Sequence, residues 1–297
     1  MHGGSPILGA GRSVLKSAVR HVGTATSSLR PMPDFLVIGT KRGGTTSFYF
    51  DLIEHPSIMR LFPPPLPGLK PDATKGVHYF DSNYLKGETW YRSYMPTRVT
   101  RRIRTLRSGA RSVVGEASPY YLFHPDAARR AHAAVPGARL VVLLRDPAMR
   151  AYSHWKERRR GNAEELDFAA ALDAEPLRLA GERERLLQDP GYRSYAWEQQ
   201  SYLTQSRYSE SLRPWIDHYG REQLLVLASE EYYADPVKVL GDVDEFLGLP
   251  RRALSTGAIR NAAPGGALPE AVRGRLALEF KDDVAALSDL VGRTFPW

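Results

Sequence analysis

The sequence predicts a single α/β domain with a central parallel sheet flanked by helices. Short apolar runs recur at Phe35–Gly39, Val113–Glu116, Leu140–Leu144 and Leu224–Leu227, with helix-patterned segments between them. Apart from Glu116, which ends the second, the runs carry no charge and do not alternate, as in strands covered on both faces. No composition shift divides the body and no repeat of solenoid period occurs. One domain is therefore expected over residues 34–297, preceded by a basic tail over residues 1–33.

Phe35-Leu36-Val37-Ile38-Gly39 reads as the first strand. Thr45, Thr46 and Ser47 then start a helix over Phe48–His55, and Pro56 stops it. Five prolines between Leu61 and Pro71 require a loop. Val113–Glu116 is the second strand, Ala127–Val135 a helix and Leu140–Leu144 the third strand. Glu157–Gln188 is charged and helix-prone, so a helical insertion is expected there. Arg207–Tyr219 is a helix, Leu224–Leu227 the fourth strand, and Val237–Leu247 a helix stopped by Gly248 and Pro250. A last helix begins at Val284 and ends near Gly292.

Lys and Arg number 41 against 33 Asp and Glu, a net charge of +8, and there is no cysteine. The second fact excludes disulfides, thiolate metal sites and a cysteine nucleophile. No apolar run approaches the ~20 residues of a membrane span, and no signal-peptide core is present. The expected location is cytoplasmic, with peripheral membrane contact through the tail as the alternative.

The charge is local. Residues 1–33 carry Arg12, Lys16, Arg20 and Arg30 with no acid, and residues 98–111 carry six arginines with none, leaving the rest near −2. The tail reads as a poorly ordered terminus or, from Leu15, Ala18, Val19 and Val22, as a basic amphipathic helix. The arginine segment reads as a solvated helix face or loop, or as a patch that attracts an anionic substrate. Neither segment carries a nucleic-acid reading motif, so no nucleic-acid partner is expected.

The first strand runs into Gly39-Thr40-Lys41-Arg42-Gly43-Gly44-Thr45-Thr46. A Gly-rich turn between strand and helix suits an anion cradle, because glycine lets backbone N–H groups approach a phosphate. Lys41 and Arg42 add charge, and Thr45, Thr46 and Ser47 add hydroxyls. The frame is P-loop-like, but Thr45 stands where an ATPase or GTPase carries its phosphate lysine. The third strand ends in Arg145-Asp146-Pro147, and Ser153 follows on the next helix. A guanidinium fork and a hydroxyl there suit a second phosphate.

Taken together, these segments resemble the sulfotransferases that use 3′-phosphoadenosine 5′-phosphosulfate (PAPS), in the branch containing the heparan sulfate enzymes and bacterial relatives. Lys75-Gly76-Val77-His78-Tyr79-Phe80-Asp81, Gly115-Glu116-Ala117-Ser118-Pro119-Tyr120-Tyr121 and Phe246-Leu247-Gly248-Leu249 extend the likeness over residues 34–297. The resemblance implies metal-independent in-line transfer of a sulfuryl group to a hydroxyl or amine of a carbohydrate, glycolipid or other small acceptor. Lys41–Ser47 would form the 5′-phosphosulfate loop, and Arg145 and Ser153 the 3′-phosphate pair, with Tyr208 in the nucleotide site. Tyr202 and Arg260-Asn261 fall in further nucleotide segments. Arg42 stands where the family usually has lysine, with Lys41 beside it, and the resemblance implies these two as the catalytic cations. Relatives carry a glutamate base at the position of Gly76, so His78 becomes the expected base. Asp81 would orient it or bind the acceptor, Glu116 is the backup base, and Glu116 and Ser118 would contact the acceptor. Ala117 replaces a substrate-contacting lysine of the glycosaminoglycan enzymes. The aromatics from Tyr79 to Tyr94, with Lys86 and Arg92, would stack on a sugar, and the helical insertion would wall the acceptor. A magnesium–ATP phosphotransferase and a degenerate PAPS-binding protein are the competing readings.

Overall fold

The computed structural model describes residues 21–62, 74–252, 268 and 270–297. All five prolines between Leu61 and Pro71, Arg260-Asn261, and all of the tail's proposed apolar face except the exposed Val22 lie outside them. Five parallel strands form the sheet: β1 (Phe35–Gly39), β2 (Ile58–Met59), β3 (Val113–Ala117), β4 (Arg139–Leu144) and β5 (Leu224–Ala228), in the order β2-β3-β1-β4-β5. Every residue of β1 and β3 is buried, Glu116 of β3 included, as in strands covered on both faces. One core cluster lies on each sheet face. Leu36, Ile38, Val114, Leu140 and Val142 point to one. Phe35, Val37, Val113, Val141 and Leu143 point to the other. This alternation is the strand period of two acting on a doubly covered sheet.

The helices are α1 (Thr45–Leu52), α2 (Gly87–Arg92), α3 (Arg98–Ser108), α4 (Ala127–Ala134), α5 (Pro147–Arg160), α6 (Phe168–Leu179), α7 (Glu182–Gln188), α8 (Tyr195–Gln199), α9 (Tyr208–Tyr219), α10 (Ser229–Ala234), α11 (Pro236–Phe246) and α12 (Glu270–Val291). The first helix starts and ends three residues before the expected Phe48–His55, and two later regions differ more. The helix after Arg145 continues to Arg160, because Asp146 caps it through the Met149 N–H and Pro147 occupies its first turn. The insertion is therefore α6 and α7 only. The last helix begins at Glu270, well before Val284; its first half is mostly exposed, though Leu276 and Phe280 are buried in a satellite cluster with Phe168. No described helix is long and apolar enough to cross a membrane.

The described end of the tail packs on the domain. Arg30 Nη1 donates to the Met95 carbonyl, and Arg92 Nη1 donates to the Arg30 carbonyl at 3.0 Å. Within the aromatic run from Tyr79 to Tyr94, Tyr79, Phe80 and Tyr91 belong to the core, while Tyr84, Trp90 and Tyr94 are partly exposed at its edge. Tyr79 stacks on Tyr91 with ring centres 4.5 Å apart, both are buried, and Phe80 closes on Tyr91 and Tyr121. Lys86 sits over Trp90, and Arg92 pairs with Glu88. For the three core rings, apolar burial outweighs any stacking role they have in isolation.

Candidate active site

β1 and β4 lie side by side where the strand order reverses, and a cleft of about 1060 Å³ opens at their C-terminal ends. Ligands of open parallel sheets bind at such a point. The Gly-rich loop forms one wall. The Thr40 N–H donates to the Leu143 carbonyl at 2.9 Å, which fastens the loop to β4. Gly44 is left-handed at φ +88°, and a Cβ there would lie 2.4 Å from the Tyr233 hydroxyl, so both conformation and space demand glycine. α1 starts at the next residue and presents its unpaired N–H groups to the cleft. Lys41, Arg42, Gly43, Gly44, Thr45, Thr46 and Ser47 all line it.

Arg145 and Ser153 enter the same cleft from β4 and α5. Arg42 Nε donates to Ser153 Oγ at 3.3 Å across 111 residues of chain, and Arg145 Nη1 reaches the Arg42 carbonyl at 3.5 Å. Arg42 Nη1 also pairs with Glu157 at 3.2 Å. Lys41 Nζ donates to Gln199 Oε1 at 2.8 Å and to the Glu198 carbonyl at 3.2 Å. Burial holds the Lys41 ammonium below the ordinary lysine value, with Glu198 opposing. Lys156, Arg159 and Arg160 extend the cationic wall along α5, against only Glu157 and Glu230.

Lys75 is a cleft residue to which sequence reasoning gave no role. Its Nζ donates to Thr45 Oγ1 at 3.4 Å, and burial, with Arg42 close by, pushes it down to about 8. The signal was its place at the head of the Lys75–Asp81 segment. The reason it reaches the cleft is a backbone bond of 2.7 Å from the Ala117 N–H to the Lys75 carbonyl, which docks that segment beside the end of β3.

His78 does not line the cleft but flanks it. It is left-handed at φ +51°, its N–H donates to Ser118 Oγ at 3.0 Å, and the cleft-lining Pro119 follows Ser118. Its Nδ1 lies 2.8 Å from Asp81 Oδ2, with the His78 side chain 40% exposed and the Asp81 side chain 0% exposed. Burial alone would lower the imidazole pKa. The Asp81 bond and charge, with Glu116 and Glu198, outweigh it and raise the pKa above 6.5.

The expected acceptor contacts Asp81, Glu116 and Ser118 are buried, so none offers a surface to a ligand. They form a bracket under His78. Glu116 accepts from Val77 N–H, Ser118 Oγ, Tyr91 Oη and Tyr121 Oη at 2.7–2.8 Å, and burial raises its pKa. Tyr208 also lies off the cleft wall. It is buried and its hydroxyl donates to the Arg145 carbonyl at 2.8 Å, so it positions Arg145. Tyr202 is buried with its hydroxyl on Glu164 at 2.8 Å. A Cβ on Gly76 would lie 2.2 Å from the Ala117 carbonyl oxygen and 2.5 Å from Ser118 Oγ, so this backbone admits no side chain there.

Guanidinium, ammonium, hydroxyl and helix-start N–H groups together suit phosphate and sulfate oxygens. Among the described residues no three His, Asp or Glu side chains are grouped to hold a metal ion.

Residues 32–261 match the sulfotransferase domain family. The chain is 29% identical over 232 residues to the bifunctional heparan sulfate N-deacetylase/N-sulfotransferase 1 of Caenorhabditis briggsae, covering 77% of this chain and 24% of that protein. It is 30% identical over 240 residues to the heparan sulfate glucosamine 3-O-sulfotransferase 6 of Homo sapiens, covering 80% of this chain and 58% of that protein. The chain thus spans about a quarter of the bifunctional relative's length. Among solved structures, a sulfotransferase from Alicyclobacillus acidocaldarius superposes with a TM-score of 0.61 at 27% identity, covering 89% of this chain and 98% of that one.

Proposed function

Because the chain belongs to the sulfotransferase domain family, we propose that it transfers a sulfuryl group from PAPS to a hydroxyl or amine of a carbohydrate, glycolipid or other small acceptor. The supporting observation is the convergence of Lys41–Ser47 with Arg145–Ser153 on one cationic cleft. PAPS would supply the activated sulfuryl group. The α1 N–H groups with Thr45, Thr46 and Ser47 would hold its 5′ phosphate, and Arg145 with Ser153 its 3′-phosphate.

Catalysis needs positive charge where the leaving phosphate oxygen gains negative charge, and a base where the acceptor loses its proton. Arg42 keeps its charge at any working pH, so its part is electrostatic. Lys75, at about 8, can hold or release a proton on the same side. On the acceptor side an ionised Asp81 only accepts, so Nδ1 of His78 carries its proton toward Asp81 and Nε2 presents its lone pair to the acceptor. Asp81 then stabilises the imidazolium formed. With Ala117 in the place of a substrate lysine and the bracket residues buried, heparan-type acceptor contacts are not carried over.

Calorimetric titration of the protein in EDTA with adenosine 3′,5′-bisphosphate tests the nucleotide assignment. Tight, metal-independent binding is expected, and a preference for magnesium–ATP would overturn it. Turnover of radiolabelled PAPS against carbohydrate and lipid extracts then identifies the acceptor. Loss of turnover in His78→Ala with nucleotide binding intact is expected. Full turnover in that variant would reject His78 as base, and no turnover in the wild type on any extract would favour a degenerate binding protein.

A further inference from the structure

Helix α3 carries a surface that the proposed chemistry does not use. It contributes no buried residue, yet its side chains are not arranged as a solvated helix. Val99, Ile103 and Leu106 are 68%, 45% and 76% exposed. At about 100° per residue these three fall within roughly 60° of one another, an i, i+4, i+7 stripe. Arg101, Thr105 and Ser108 lie roughly opposite and hold the helix to the body. Arg101 pairs with Asp34 and donates to the Ser112 carbonyl at 3.2 Å, and Thr105 Oγ1 bonds Ser112 Oγ at 3.1 Å. The apolar stripe therefore points directly away from the domain.

Arginines border the stripe on both sides. Arg102 and Arg107 flank it closely, and Arg98 and Arg104 stand further round. All four are exposed, and among the described residues none makes an ion pair. Asp34, which faces the helix from the start of β1, is already taken by Arg101 and Arg111. A polyanion such as a nucleic acid or a sulfated glycan would be met by the arginines alone and leave the aliphatic stripe in water. A bilayer with anionic headgroups accommodates both: aliphatic side chains enter the acyl boundary while arginines remain among the phosphates.

We propose that the α3 face, formed by Val99, Ile103 and Leu106 between Arg98, Arg102, Arg104 and Arg107, is a docking surface for an anionic lipid bilayer. The argument is independent of the sulfuryl-transfer reading, since none of these residues lines the cleft.

Co-sedimentation of the full chain with vesicles of phosphatidylcholine, with and without phosphatidylglycerol, tests it. Binding is expected to the phosphatidylglycerol vesicles and to weaken with salt. Arg102→Gln with Arg107→Gln should lower partitioning by at least about tenfold. Val99→Ser, Ile103→Ser and Leu106→Ser together should lower it by roughly tenfold at unchanged charge. All five side chains are exposed, so thermal unfolding should stay at the wild-type midpoint and report that the variants fold. Binding no better than to phosphatidylcholine alone would overturn the proposal. So would binding that survives both sets of substitutions but is lost on removal of residues 1–20, which would assign the surface to the tail. Retention on a DNA or heparin column with the serine variants unaffected, and no vesicle binding, would likewise reject it.

Discussion

Gly76 offers the sharpest test of the site, because likeness to relatives and geometry give opposite answers. The family resemblance implies a glutamate there, which would suggest that restoring it raises activity. The backbone forbids it: a Cβ would lie 2.2 Å from the Ala117 carbonyl oxygen, 2.5 Å from Ser118 Oγ and 2.7 Å from the Ala117 carbonyl carbon. Reaching ordinary contact would require a displacement of about 1 Å. Two of the three atoms are backbone, at the end of a fully buried strand, so the movement must pass into the sheet edge. Gly76→Ala isolates the effect. Were there room, alanine would stabilise by about 0.4–1 kcal/mol through the unfolded chain. With the clash it should destabilise by about 1–3 kcal/mol. At roughly 2–4 °C per kcal/mol for a chain of this size, the melting midpoint should fall by about 2–12 °C in scanning calorimetry. Ser118 Oγ is also the acceptor for the His78 N–H at 3.0 Å, so the base moves with it. Misplacement by about 1 Å should lower turnover by on the order of a hundredfold. Gly76→Glu should be worse on both counts. A Gly76→Ala midpoint at or above wild type, or a Gly76→Glu enzyme faster than wild type, would refute this reasoning.

Three further outcomes are expected. The pH profile of kcat/KM for the donor should be a narrow bell: activity requires neutral His78, whose raised pKa puts the acid limb above 6.5, and charged Lys75, which puts the alkaline limb at about 8. Lys75→Arg should remove the alkaline limb, and Asp81→Asn should move the acid limb down; unchanged limbs would exclude these groups. Glu157→Gln should tighten adenosine 3′,5′-bisphosphate binding by up to about fivefold in calorimetry, because a partly exposed ion pair of roughly 0.2–1 kcal/mol no longer competes for Arg42. Glu116→Ala strands the Tyr91 and Tyr121 hydroxyls and the Val77 N–H, so urea unfolding should show a loss of roughly 3–5 kcal/mol.

The sheet was legible because its four longer strands are mostly apolar runs, broken only by Glu116 in β3 and Arg139 at the head of β4. β2 has only Ile58 and Met59, too short for any period to register. The first half of α12 escaped because its buried Leu276 and Phe280 sit among exposed charged residues. The loop and the Arg145–Ser153 pair were legible as chemistry because both follow strands directly. Asp81, Glu116, Ser118 and Tyr208 were right in type for ligand contact but are buried, since accessibility is decided by how the Lys75–Asp81 segment folds back on β3 and by how α9 packs beside β4. Lys75 was missed for the same reason in reverse: its role arises from a tertiary return of the chain to Thr45.

The Arg42–Ser153 contact ties together segments 111 residues apart, seated on neighbouring parallel strands. Parallel pairs of this separation close late and slowly, since the intervening chain must be ordered first. No partly folded chain lacking the β1–β4 pairing can therefore grip both phosphates of one nucleotide. Occupancy becomes a readout of the completed sheet: a ligand at a hundred times its Kd should add about 2.7 kcal/mol to global unfolding. The same ligand should slow amide exchange across β1 and β4 together, so the proposed nucleotide would also act as a folding clamp.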